Sequence, residues 1–149
     1  MDLYEKSVMH YLVANGETFV APQINLGKGL RSPDFIAIRP SQKKAYVVVL
    51  TDSRNPDSLI KRANAYATEG LRILQKHLEG RGISDSSWSY RVLLFVRRED
   101  LDLFKEEIKY RNNVNILCIE DAIESWRWNA QVWTSDFLFE ESEDLEHST

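Results

Sequence analysis

The chain has 149 residues, 43% hydrophobic and 28% charged, with a formal net charge of −4, proportions that suit one globular domain with a sizeable core. No apolar run approaches the ~20 residues needed to cross a bilayer; the single Cys118 excludes an internal disulfide, and His10, His77 and His147 are too scattered for a zinc-type cluster. Any resident metal is therefore expected to be a hard cation held by carboxylates.

The opening "MDLYEKSVMHYLV" is acidic and amphipathic, with no basic leader and no small-residue cleavage site, so a cytoplasmic location is expected. Leu3, Tyr4, Val8, Tyr11 and Leu12 share a helical face, which predicts a helix from about Asp2 to Ala14 ended by Asn15 and Gly16. "TFVAPQI" reads as a strand whose Pro22 argues for an edge or a bulge. "PDFIAI" and "AYVVVLT" are β-rich runs joined by the polar "RPSQKK", the pattern of a hairpin.

Asn55 and Pro56 supply an N-cap and a first-turn proline for a long helix that turns Leu59, Ala63, Tyr66, Leu74 and Leu78 inward and ends at Gly80–Gly82. "YRVLLFV" is apolar enough for a strand covered on both faces. "EDLDLFKEEIKY" predicts a second long helix burying Leu101, Phe104 and Ile108, "VNILCI" a short strand, and "EDAIESWRW" a last helix whose acids suit its N-terminus. Trp126, Trp128 and Trp133 are concentrated near the end of the chain; Trp126 and Trp128, two residues apart, cannot share a helix face, so one is expected to pack and another to meet the tail or a partner surface. The division is one domain over residues 1–139 and a flexible acidic tail over 140–149.

That tail carries five acids and no lysine or arginine, which leaves 18 acids against 19 lysines and arginines in the rest of the chain. Between residues 28 and 62 the excess is basic: Lys28, Arg31, Arg39, Lys43, Lys44, Arg54, Lys61 and Arg62 face only Asp34, Asp52 and Asp57. Composition alone fits a solvated basic turn as well as a nucleic-acid footprint.

The order α-β-β-β-α-β, with "SPDF" opening the second strand, resembles the core of the PD-(D/E)XK nuclease superfamily, the restriction-endonuclease-like fold. The resemblance covers roughly Asp2 to Val96. It implies an α/β fold, a mixed central sheet flanked by helices, here with a C-terminal α-β-α extension. It also implies a magnesium or manganese ion if the chain is active, and no cofactor otherwise. The Pro-Asp aspartate of that family binds the metal, and Asp34 matches it; a glutamate on the first helix often joins, and Glu5 stands there. The third strand then supplies an acid, any residue and a lysine.

Strand geometry locates those last groups. With Ile38 opposite Ala45, Asp34 falls opposite Val49, on the same face, and Thr51 follows two residues later. Valine has no lone pair for a metal and threonine no cationic charge, whereas phosphodiester hydrolysis needs a metal-activated water and stabilised phosphate charge. The metal set implied is Asp34, Glu5 and the Leu50 carbonyl.

Asp52 to Arg54 and Lys61 are candidates for a migrated site, giving a catalytic set of Asp34, Glu5, Asp52 and Lys61. The nucleic-acid contacts are Lys28, Arg31, Lys43, Lys44, Arg54 and Arg62. Other readings stay open: Asp34 as an acceptor of backbone hydrogen bonds, the cations as exposed loop and helix-start charges, Tyr66 as core. The expected partner is nucleic acid, DNA ahead of RNA, with a second copy or a protein partner as further options and no membrane. The functions in view are a nuclease-fold binding protein with impaired catalysis, in DNA processing, defence or mobile elements; an active metal-dependent endonuclease with a migrated site; and a protein-interaction module.

Overall fold

From Phe35 to Ile38 successive side chains fall alternately into two apolar clusters, which places this segment in the middle layer of the molecule. The structure, a computed structural model, describes residues 3–14, 16–22, 25, 33–51 and 56–129. Its elements in chain order are α1 (Leu3–Val13), β1 (Phe19–Pro22), β2 (Phe35–Arg39), β3 (Lys44–Leu50), α2 (Pro56–Ala65), a π turn (Tyr66–Gly70), α3 (Leu71–Gly80), β4 (Ser89–Val96), α4 (Leu101–Glu107), β5 (Val114–Cys118) and α5 (Ile119–Asn129).

The strands form one mixed sheet in the order β1-β2-β3-β4-β5. β2 is antiparallel to both β1 and β3, while β3, β4 and β5 are mutually parallel. The expected pairing of the "PDFIAI" and "AYVVVLT" runs holds, and Ile38 lies opposite Ala45. The hairpin turns through Pro40–Gln42 and Lys43, whose φ of 54° is left-handed and whose N–H donates to the Pro40 carbonyl at 3.1 Å. β1 stands at the end of the sheet, where Pro22 removes no interior ladder bond.

Each face of the sheet is covered by helices. On one, Ile36, Val47, Val49, Val92 and Leu94 pack against Leu59, Ala63, Tyr66, Leu74, Leu78 and Phe104 from α2, the π turn, α3 and α4. On the other, Phe35, Ala37, Val48, Leu93 and Phe95 meet Val8, Tyr11 and Leu12 of α1 and Ile119 and Ala122 of α5. Tyr11 stands edge-on to Phe95, with ring centroids 6.4 Å apart. Val92 to Val96 of β4 are fully buried, as a strand covered on both faces requires. Among the described residues no helix is long and apolar enough to cross a membrane.

Two features depart from the sequence expectations. The helix expected over "EDLDLFKEEIKY" is α4 alone, which stops at Glu107; Ile108 is extended and buried, and the Lys109 N–H donates at 3.0 Å to Asn64 Oδ1 on α2 instead of continuing the helix. The second is a polar row in the α1/α5 layer, at the end of the sheet where β3 begins. Arg39 is 0% exposed and its Nη2 donates to Glu17 Oε2 at 3.2 Å; Arg91 Nε donates to Asn115 Oδ1 at 2.9 Å. Tyr46 lies across the ladder from Arg91, and burial drives its phenol pKa up, beyond what the neighbouring Arg39 and Arg91 charges offset.

Candidate functional site

The carboxyl edge of β3 is built by the end of its ladder with β2. The last paired residues are Phe35 and Val48. Carrying that register onward sets Asp34 against Val49 and Pro33 against Leu50. Leu50 would exchange both backbone bonds with residue 33 in a continued antiparallel ladder. Proline has no N–H, so the ladder offers the Leu50 carbonyl no donor. The Leu50 N–H is taken by the Asp34 carboxylate, which accepts it through Oδ2 at 2.8 Å. On the other side of the strand the Thr51 N–H donates to the Phe95 carbonyl at 2.8 Å.

Asp34 is therefore a strand-end acceptor, with a carboxylate beside the backbone carbonyl that the family resemblance assigns to a metal. Val49 faces the α2 layer, is 0% exposed, and is enclosed by hydrocarbon. It contributes no lone pair, and the space a glutamate would need is filled by core side chains. Thr51 follows the strand and is half-buried. Glu5 sits in the first turn of α1, half-buried, on the helix that covers the sheet face opposite Val49. No group of three or more His, Cys, Asp or Glu able to hold a metal ion exists among the described residues, so Asp34 and Glu5 belong to none.

The cations divide between two places. Lys43 and Lys44 sit at the hairpin, where β3 begins, while Asp34 and Leu50 mark where it ends. With six residue steps between Lys44 and Leu50, the two ends are about 20 Å apart at ~3.3 Å per residue. Lys61 and Arg62 lie on α2, Lys61 exposed and Arg62 half-buried with its guanidinium carbon 5.9 Å from the centre of the Tyr66 ring. Tyr66 is core, 1% exposed, as its helical spacing allowed. Lys28, Arg31, Asp52, Arg54, Trp133 and the 140–149 tail lie outside the described residues, as do the side chains of Trp126 and Trp128.

The chain's sequence gave no direct sign of the π turn beside Arg62. The buried positions Leu59, Ala63, Ala67, Leu71, Leu74 and Leu78 keep an ordinary helical spacing through it, so the apolar pattern does not mark the extra residue.

At the neighbouring edge Arg98 ties β4 to α5: its N–H donates to both Glu120 carboxylate oxygens at 3.0 and 3.1 Å, and its Nη2 to Asp121 Oδ1 at 2.8 Å. Burial raises the pKa of the nearby Cys118 thiol, and Asp121 and Glu120 raise it further against the opposing Arg98. No protein-family model matches the chain, and no curated protein and no solved structure matches it either.

Proposed function

We propose that the chain is a nucleic-acid-binding protein of the restriction-endonuclease-like fold in which cleavage has been lost or severely impaired, acting in the cytoplasm in DNA processing, defence or mobile-element biology. The observation that carries this reading is the pair Asp34 and Val49. Asp34 stands at the mouth of β2 with its carboxylate on the Leu50 N–H, and the position opposite it is a fully buried valine. The αβββαβ order and the helix-covered mixed sheet support the fold assignment, and fold alone does not fix activity.

If a divalent cation binds, Asp34 and the Leu50 carbonyl are the groups placed to receive it, and it would polarise a phosphate oxygen there. With one carboxylate where magnesium commonly uses one or two, its hold is weak. Nucleic acid would be retained by backbone contacts instead. A duplex reaching from the hairpin lysines to the Leu50 end of β3 would cover about 20 Å, or roughly six base pairs at 3.4 Å each.

The test is fluorescence anisotropy with labelled duplex DNA and single-stranded RNA across a salt series. The expected result is weak binding that falls steeply with salt, because lysines and arginines displace phosphate counterions. Deleting residues 140–149 should tighten it at low salt, since five acids compete with phosphates for the same cations. Absence of binding at low ionic strength, in both the full and the shortened chain, would overturn the proposal.

A further inference from the structure

The helix Pro56–Gly80 contains a π turn at Tyr66–Gly70. The Leu71 N–H reaches back to the Tyr66 carbonyl, so the Ala67 carbonyl loses the donor that a regular helix would give it. Asn113, in the turn before β5, fills that gap: its Nδ2 donates to the Ala67 oxygen at 3.0 Å. Three residues before Ala67, the Asn64 side chain accepts the Lys109 N–H at 3.0 Å. One flank of the helix is thus strapped to the segment between α4 and β5.

Tyr66 is the first residue of this turn. A Cβ on Gly70 would come within 3.0 Å of Tyr66 Cδ1 and 3.2 Å of its Cβ, so the ring lies against the bare glycine backbone. On the preceding turn, Arg62 lays its guanidinium over the same ring, 5.9 Å from the centroid. Arg62 Nε is buried and has no hydrogen-bond acceptor among the described residues. At ~100° per residue Arg62 stands about 200° around the helix from Asn64, on the flank away from the strap. The strapped segment leads into β5, at one end of the sheet, and β2 lies toward the other end, so the Arg62 flank is the one on the side of β2, which Asp34 precedes.

We propose that Arg62 is a preorganised phosphate contact of this site, and that Tyr66, fixed by the π turn, is its positioning residue. This rests on the nucleic-acid reading above. The ligand chemistry is that of a phosphodiester: a planar guanidinium presents a fork of donors to two phosphate oxygens, and a guanidinium already stacked on a ring loses little freedom on binding. The stacked cation supplies charge on the α2 side of a site where Thr51 supplies none.

The experiment measures anisotropy of a labelled DNA duplex across a salt series for the unaltered chain, Arg62→Gln, Arg62→Lys, Tyr66→Leu and Asn113→Ala, each checked for folding by circular dichroism. Arg62→Gln should weaken binding on the order of tenfold at low salt and reduce the salt slope by ~1. Arg62→Lys should restore the slope without the full affinity. Tyr66→Leu should lose affinity while keeping the slope, because the charge remains and only its placement is lost; Asn113→Ala gives the same readout if the leucine variant does not fold. Unchanged affinity and slope in Arg62→Gln, with the unaltered chain binding, would overturn the inference and leave the nucleic-acid reading standing. No binding by the unaltered chain would overturn both.

Discussion

Substituting Val49→Glu places an acid where the family resemblance expects one, and the burial of Val49 sets the cost. The side chain is 0% exposed between Leu59, Ala63 and the neighbouring strands. A carboxyl there without a hydrogen-bond partner costs about 1–3 kcal/mol even when neutral. Staying protonated at pH 7 costs about 3.7 kcal/mol more, at 1.36 kcal/mol for each of about 2.7 units above the ordinary glutamate pKa of ~4.3.

The total, roughly 5–7 kcal/mol, is comparable with the entire stability of many domains. Because the folded pKa is raised, the protonation penalty is absent below the unfolded pKa and grows as pH rises. Relative to the unaltered chain, the variant should therefore lose about 2.7 kcal/mol between pH 5 and pH 7. Urea denaturation in EDTA at both pH values measures this. Adding Thr51→Lys and magnesium should then recover about 2.7 kcal/mol at a magnesium concentration 100 times its Kd, and Asp34→Ala should remove that recovery. A Val49→Glu protein as stable as the unaltered chain at both pH values would refute the placement of residue 49 in a dry core.

Two further outcomes follow from the structure. Asn113→Ala leaves the Ala67 carbonyl in the π turn without its side-chain donor, and should lower stability by about 1–3 kcal/mol in denaturant titrations. Cys118, whose thiol pKa is raised chiefly by burial, holds less thiolate at pH 8 than an unperturbed cysteine. Iodoacetamide should therefore alkylate it more slowly in the folded protein than in urea, and equal rates would contradict the burial.

The hairpin was legible because its signals are local. The β-rich runs flank a turn over Pro40–Lys43, and the register they imply puts Ile38 on Ala45 as observed. The unbroken apolar run Val92–Val96 announced a strand with cover on both faces. What was not legible depends on contacts distant in sequence. The end of α4 at Glu107 is set by the Lys109 N–H bonding to Asn64, 45 residues away. Arg39 reads as one of the basic-surface cations until the fold buries it in the α1/α5 layer.

The candidate site divides in the same way. Asp34 opposite Val49 follows from pairing arithmetic. The capture of its carboxylate by the Leu50 N–H depends on Pro33 ending the ladder, a consequence the strand pattern alone does not announce. The cations between residues 28 and 62 looked like one basic surface because they are close in sequence. An extended β3 carries Lys44 about 20 Å from Leu50, so the charges serve two places.

The central claim is that this chain binds nucleic acid without cutting it, and direct incubation tests it. Duplex DNA and single-stranded RNA are mixed with the unaltered chain and with Asp34→Ala, in magnesium or manganese at low salt, and followed for binding and cleavage together. The account predicts that the unaltered chain binds and leaves the nucleic acid intact, and that Asp34→Ala is equally inert. Metal-dependent cleavage by the unaltered chain that disappears with Asp34→Ala would contradict it and establish an active site at β2 that works without an acid at residue 49.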